Sequence, residues 1–398
     1  MDTPDDSGAI RDDGDAIRRV DCDIHPIFAD GVSELAPYLT DGWRARFGMT
    51  GKADVDMFGN VRAASLELPR SPFFYPTAGA FRKDSVPPGG GLPASDPAFL
   101  AEHHLDAHQI DRGLLLGQNM LTLGAFPQPE YATAIAGAYN DWIEDRWLDA
   151  DPRLRGTIVV ASQDPEAAAA EIRRCAERDR RWVGVMMSLR NAMMGDAIYH
   201  PIYAEAERQG LPICVHISGV EGTFPQCPPL PAGVPATYFE VKTIYTTVYQ
   251  ANLASMVIRG TFERFPQLRL AMIECGLGWL PELLWRMDSN WKALREEAPW
   301  VKKPPSEYVF ERVRFTSQPF VEPPTAKQVR DFLEMIDAGR TLMFASDYPH
   351  YDFDDPTRTL LQIPREARRG VEADNALELF GERLRADLGA AAVAAKAA

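Results

Sequence analysis

From position 96 onward the chain alternates short apolar runs with longer stretches in which apolar residues recur every three or four positions. Short runs bounded by turn residues suit strands buried on both faces, and the 3.6-residue recurrence marks helices packed over them. The pattern predicts strands over 110–116, 156–161, 182–189, 212–216, 268–274, 313–316 and 342–345. Between them it predicts helices over 96–109, 130–148, 165–178, 201–209, 239–265, 281–295 and 325–338, with helical segments to the end. Asp96 can cap the first helix, with Pro97 at its first position. One strand comes earlier, in Val20-Asp21-Cys22-Asp23-Ile24-His25-Pro26. Its Val20, Cys22 and Ile24 share one face, while Asp23 and His25 lie side by side on the other. Eight strands alternating with helices predict an α/β chain folded as a (β/α)8 barrel. A doubly wound open sheet is the alternative, but neither GxGxxG nor GxxxxGK[ST] follows any strand.

The regular pattern is interrupted over 26–95, rich in Pro and Gly and carrying Trp43, Phe47 and the run Phe73-Phe74-Tyr75. A loop this long inside a compact domain is expected to be a lid or binding element, and its aromatic residues favour an ordered cap. Residues 1–19 hold six acids against three arginines and no apolar stretch, so they read as a mobile acidic tail rather than a secretion signal. Residues 20–384 form the barrel, and the Ala-rich end, 385–398, reads as a second tail.

A net charge of −15 argues against nucleic acid and anionic membranes as partners. No segment is apolar enough for a membrane span, which makes the cytoplasm the expected location. The five scattered cysteines, odd in number and without CxxC, suit reduced thiols. A small-molecule substrate and a second copy of the chain, forming a dimer, are the expected partners.

Reactive groups of a barrel sit at the C-terminal ends of its strands. There the sequence places Asp23 and His25 (strand one), Ser188 and Arg190 (four), His216 (five), Glu274 (six), Thr316 and Gln318 (seven), and Asp347 (eight). Strands one and eight are neighbours in a closed barrel, so Asp347 falls beside the Asp23/His25 pair. Asp23, His25, His216 and Asp347 make an N2O2 ligand set that suits Zn²⁺ and is acceptable to Mn²⁺ or Fe²⁺. The competing reading is four hydrogen-bonded strand-end groups. His350 is placed for support of the site or substrate contact. His103, His104 and His108 read as a solvated helix face, since HExxH is absent. Cys214 reads as a packed thiol.

These residues resemble the amidohydrolase superfamily: Asp-x-His after strand one, a lone His after strand five, and Ser346-Asp347-Tyr348-Pro349-His350 after strand eight. The closer likeness is to the amidohydrolase-related branch that includes aminocarboxymuconate-semialdehyde decarboxylase, γ-resorcylate decarboxylase and dicarboxylate lactonases. Further matches are Pro201-Ile202-Tyr203, Gly210-Leu211-Pro212, Gly278-Trp279-Leu280-Pro281 and Asn375-Ala376, and the likeness spans 20–382. It implies a distorted TIM barrel with one divalent ion on Asp23, His25, His216 and Asp347. Many members have His-x-His where Asp23 stands; an acid there is known in the resorcylate decarboxylases. No lysine follows strand four to bridge two metals. After strand six the decarboxylases carry a histidine, followed three residues on by glutamate in the resorcylate type. This chain has Glu274 and Leu277 in those places.

That departure turns the expected chemistry toward a metal-dependent hydrolase acting on an amide, lactone or carbon–carbon bond. Glu274 or His350 would move the proton, though a structural role for Glu274 stays open. Arg190 is the candidate to grip a substrate carboxylate, with a peripheral ion pair as the alternative. Phe74, Tyr75 and Trp279 are candidate contacts for a flat or ring-bearing substrate. The alternatives are a metal-dependent decarboxylase of an aromatic or unsaturated acid, and a catalytically silent barrel with a binding role.

Overall fold

A computed structural model of the chain describes residues 17–49, 54–55, 61–62, 81–231, 233–320 and 323–386. Its main sheet has eight parallel strands: β1 Val20–Ile24, β2 Arg112–Leu115, β3 Leu154–Val160, β4 Trp182–Met187, β5 Ile213–His216, β6 Leu270–Ile273, β7 Val313–Thr316 and β8 Leu342–Met343. They are hydrogen-bonded in chain order. Past the short β8, the chain closes on β1 through Cys22 N–H to Phe344 O (3.0 Å), His25 N–H to Tyr348 O (2.8 Å) and a parallel bridge between Ile24 and Tyr348. The architecture is the (β/α)8 barrel expected from the pattern. Every residue of the eight strands is buried except Arg112, which is half-buried.

Helices fall where the periodicity places them, with local exceptions. Asp96 caps its helix by accepting from Ala98 N (2.9 Å) and Phe99 N (3.3 Å). The helix expected over 239–265 is three pieces, Tyr238–Ile244, Thr246–Ile258 and Thr261–Arg264. Gly260, with φ of 77°, separates the last two, a conformation that costs little without a Cβ. In the long insertion, Trp43 and Phe47 stack on each other and both pack against Tyr131. Phe73, Phe74 and Tyr75 lie outside the described residues, as do 1–16 and the end from 387. Arg18 and Arg19, assigned to the tail, pair with Asp111 (3.1 Å) and Glu372 (2.6 Å) of the barrel.

The seam between β1 and β8 is organised by Asp21. The pairing register of β1 with β2 shifts between Asp21 and Ile24, so strict alternation does not hold there. A shift of this kind re-aims side chains. Asp21 accepts from Ser346 N–H (3.0 Å) and Ser346 Oγ (2.6 Å), and its other contact is His104 Nε2 at 2.8 Å. His104 also stacks on Tyr348, with ring centroids 4.4 Å apart. This corrects the solvated-face reading of that helix: His104 is fully buried, because its side faces the seam.

Two stability tests follow from this packing. Gly156 on β3 lies under the Trp182 ring, where an added Cβ would be 2.5 Å from Cζ3. Gly156→Ala should lower stability by about 1–3 kcal/mol through overpacking, read as a lower urea midpoint at unchanged slope. Asp21→Ala strands three buried donors (Asp23 N–H, Ser346 N–H and Ser346 Oγ) and His104, and should cost roughly 3–5 kcal/mol. A midpoint within error of wild type would remove Asp21 as the anchor of the seam.

Candidate functional site

The end of β1, the end of β5 and the loop after β8 bring four buried side chains to one point. One ligand atom each from Asp23, His25, His216 and Asp347 lies within 4.8 Å of all the others. His25 Nε2 is 3.0 Å from Asp23 Oδ1 and 3.1 Å from Asp347 Oδ1, and His216 Nε2 is 3.4 Å from Asp23 Oδ2. These distances are short, yet Asp23 Oδ1 and Oδ2, both Nε2 atoms and Asp347 Oδ2 make no hydrogen bond. Buried polar atoms without partners are costly, so their convergence marks a place for something they can all bind.

The far side of each imidazole is tied to the backbone. His25 Nδ1 faces Leu116 O at 3.3 Å, and His216 Nδ1 faces Ile217 O at 2.6 Å. A carbonyl only accepts, so both Nδ1 atoms carry the hydrogen and both Nε2 lone pairs point inward. That is the orientation of metal-ligating histidines held from behind. Burial alone would raise the Asp23 carboxyl, but the adjacent His25 and His216 outweigh it and hold it below its usual range. Burial would likewise lower both histidines, yet Asp23 raises them. The cluster therefore demands positive charge, which two imidazole protons or one divalent cation can supply. The donor set, two imidazoles and two carboxylates with orphaned atoms, fits a divalent metal.

Around this point is a cavity of about 90 Å³ whose lining includes His216, Lys242, Glu274, Asp347, His350 and Asp352. Asp347 and Glu274 both adopt left-handed backbone conformations, with φ of 61° and 51°. For a residue with a Cβ this costs roughly 1–2 kcal/mol, and such strain gathers at functional sites. His350 Nδ1 contacts Asp347 Oδ1 at 2.5 Å, and its ring stacks on Phe81. Glu274 N–H donates to Thr316 Oγ1 (3.0 Å), while its Oε2 stands 3.5 Å from His216 Nε2.

Not every anticipated residue joins them. Arg190 does not line the cavity; the cation there, and the only Lys or Arg among its described lining residues, is Lys242. Its Nζ donates to Glu274 Oε1 at 2.8 Å and is 3.6 Å from Asp352 Oδ2. Burial works against this ammonium, but Glu274 and Asp352 keep it charged. Lys242 is not at a strand end, so strand position does not single it out. Its signal was a shared helical face, since Tyr238, Lys242 and Tyr245 are spaced i, i+4, i+7. Trp279 also stands outside this cavity and lines the one beside it. Phe74 and Tyr75 are outside the described residues. Cys214 is free and buried, and burial pushes its thiol up to about 12, as for a packed group. Behind β5, Glu221 accepts from Ser218 N–H (2.8 Å) and Tyr249 Oη (2.9 Å), and that hydroxyl also reaches His216 O (3.0 Å).

The chain resembles known proteins along most of its length. A γ-resorcylate decarboxylase from Rhodococcus jostii (strain RHA1) is 26% identical over 270 residues, covering 62% of this chain and 75% of that one. One from Rhizobium sp. (strain MTP-10005) is 24% identical over 267 residues, covering 63% and 76%. Among solved structures, the 5-carboxyvanillate decarboxylase of Sphingomonas paucimobilis matches with a TM-score of 0.60 at 22% identity, over 92% of this chain and 99% of that one. A dihydroxybenzoic acid decarboxylase from Polaromonas sp. JS666, solved with manganese and the inhibitor 2-nitroresorcinol, gives 0.60 at 17% identity, over 93% and 99%. At these identities the structures establish the shared fold. The model of the amidohydrolase family described as "Amidohydrolase" matches residues 20–381. Nearly the whole chain is covered, and the chain belongs to that family.

Proposed function

We propose that this chain is a metal-dependent carboxy-lyase that releases CO2 from a small aromatic or unsaturated carboxylic acid. The observation that carries the reading is the cage of Asp23, His25, His216 and Asp347, joined to curated relatives named as decarboxylases. Asp23, His25, His216 and Asp347 would hold the ion, with Zn²⁺ placed ahead of Mn²⁺ and Fe²⁺. When bound, the ion supplies Lewis-acid charge that grips substrate oxygens and draws electron density from the reacting carbon.

The chain's own residues do the rest. In decarboxylation the bond between the ring carbon and the carboxylate breaks and CO2 leaves. The electron pair stays on the ring carbon, where a proton replaces the carboxyl group. Two groups at the cavity suit that proton. His350 touches Asp347 and borders the cavity. Glu274 is raised above the usual carboxylate range by burial, with Lys242 opposing, which is the direction needed to deliver a proton near neutral pH. They would replace the histidine and glutamate that the resorcylate decarboxylases carry after strand six.

One observation favours a second reading. A carboxylate beside the cage, such as Glu274, can equally take a proton from water, which would make the enzyme a hydrolase. No helix among the described residues is long and apolar enough to cross a membrane. A cytoplasmic homodimer is part of the proposal, and light scattering of purified protein reads the oligomeric state directly.

Two experiments test the reading. His216→Ala should lose the divalent ion that copurifies with wild type, read by elemental analysis. Metal content equal to wild type in the variant would end the ligand assignment. In D2O, turnover of a ¹³C-carboxyl hydroxybenzoate panel should release ¹³CO2 and leave one deuterium on the vacated carbon. Products that keep the labelled carbon and take up ¹⁸O from water would establish hydrolysis instead.

A further inference from the structure

The metal cavity is too small for the substrate class that its relatives suggest. Its volume is about 90 Å³, whereas a space of roughly 150 Å³ takes up a single benzene ring. Ligand sites for small molecules run to roughly 300–1,000 Å³. Next to it lies a second cavity of about 410 Å³. The two share Lys242 and Asp352 in their linings, so these two side chains stand at the boundary between them.

The second chamber is apolar in character. Trp279, Phe320, Phe332, Leu277 and Pro319 contribute to its walls. Trp279 is a fixed wall. Its Nε1–H donates to Cys275 O at 3.0 Å, and its ring meets Phe315 edge-on with centroids 6.1 Å apart. Gly276 and Gly278 leave part of the lining without side chains, and a Cβ added at Gly278 would meet nothing within 4 Å. At the boundary, Lys242 Nζ is held by Glu274 (2.8 Å) and faces Asp352 (3.6 Å), which puts the charged groups of the boundary next to the metal cage.

From this geometry we infer that the chamber walled by Trp279, Phe320 and Phe332 is a substrate subsite. It receives the ring, with room for one further ring or alkyl arm, of an acid whose carboxylate end alone sits in the metal cavity. The substrate class is then an aryl-substituted or alkyl-substituted hydroxyaromatic acid rather than a bare single-ring acid. Burial of the arm against fixed aromatic walls supplies affinity, while the ion cluster at Lys242 keeps the charged end on the metal side. The inference rests on the reading of the site as one for an aromatic acid.

Calorimetric titration of the metal-loaded protein with salicylate, 4-phenylsalicylate and 5-phenylsalicylate tests it. At least one phenyl derivative should bind tighter than salicylate, by roughly tenfold. Gly278→Phe places a ring at the chamber's rim, where an added Cβ meets nothing within 4 Å, and should bring that ratio to about one. Gly278→Ala, too small to fill it, should keep the preference. Phe332→Trp serves as a second filling variant if Gly278→Phe loses its metal or its fold. Equal affinities for all three acids in wild type, or a preference that survives both filling variants, would overturn the subsite. Absence of CO2 release with the preference intact sinks the decarboxylase reading and leaves the subsite standing. CO2 release from salicylate without any preference does the reverse.

Discussion

Two buried carboxylates, Asp23 and Asp347, share a point at the barrel mouth with two imidazoles whose lone pairs also face inward, and none of the ligating atoms there has a hydrogen-bond partner apart from the His350 contact to Asp347. That arrangement is unstable without positive charge at its centre. Much of the surrounding structure can be understood as holding it in place. The register shift in β1 separates Asp21 from Asp23, so that one acid anchors the seam and the other faces the cavity. Backbone carbonyls behind His25 and His216 keep both rings turned. Asp347 is carried on a left-handed residue that a seam fastened through Ser346 keeps in position. Here backbone strain and an unsatisfied polar cluster coincide, the combination expected where stability has been given up for binding.

The cage was legible in the sequence because a barrel ties strand order to position. Once eight buried strands are counted, residues far apart in the chain, such as Asp23 and Asp347, must meet at one rim. Chemistry at strand ends then needs only the identity of the last polar residue. The same reasoning failed where position depends on how a helix is rotated or a loop is routed. Spacing alone does not say which side of a helix faces the seam; contacts with Asp21 and Tyr348 are what bury His104 there. Arg190 was chosen as the anion grip from its strand-end place, but the cation at the cavity comes from Lys242, on a helix reached after the long loop following β5. Nothing in strand spacing foresees that route.

The exchange of the decarboxylases' histidine for Glu274 matters most through Lys242. A carboxylate added next to Asp23 and Asp347 would raise the negative charge of the mouth and weaken the grip on any anionic substrate. Lys242 cancels that addition at 2.8 Å, so the pair is close to neutral as a unit. With a divalent ion balancing Asp23 and Asp347, Asp352, 3.6 Å from Lys242, is the one carboxylate of this lining left without a full counter-charge. The pair also divides the small polar cavity from the larger apolar one. On the proposed reading, reaction type and the reach of the substrate would both depend on the Glu274–Lys242 pair, because that pair lies at the cage and at the boundary of both cavities.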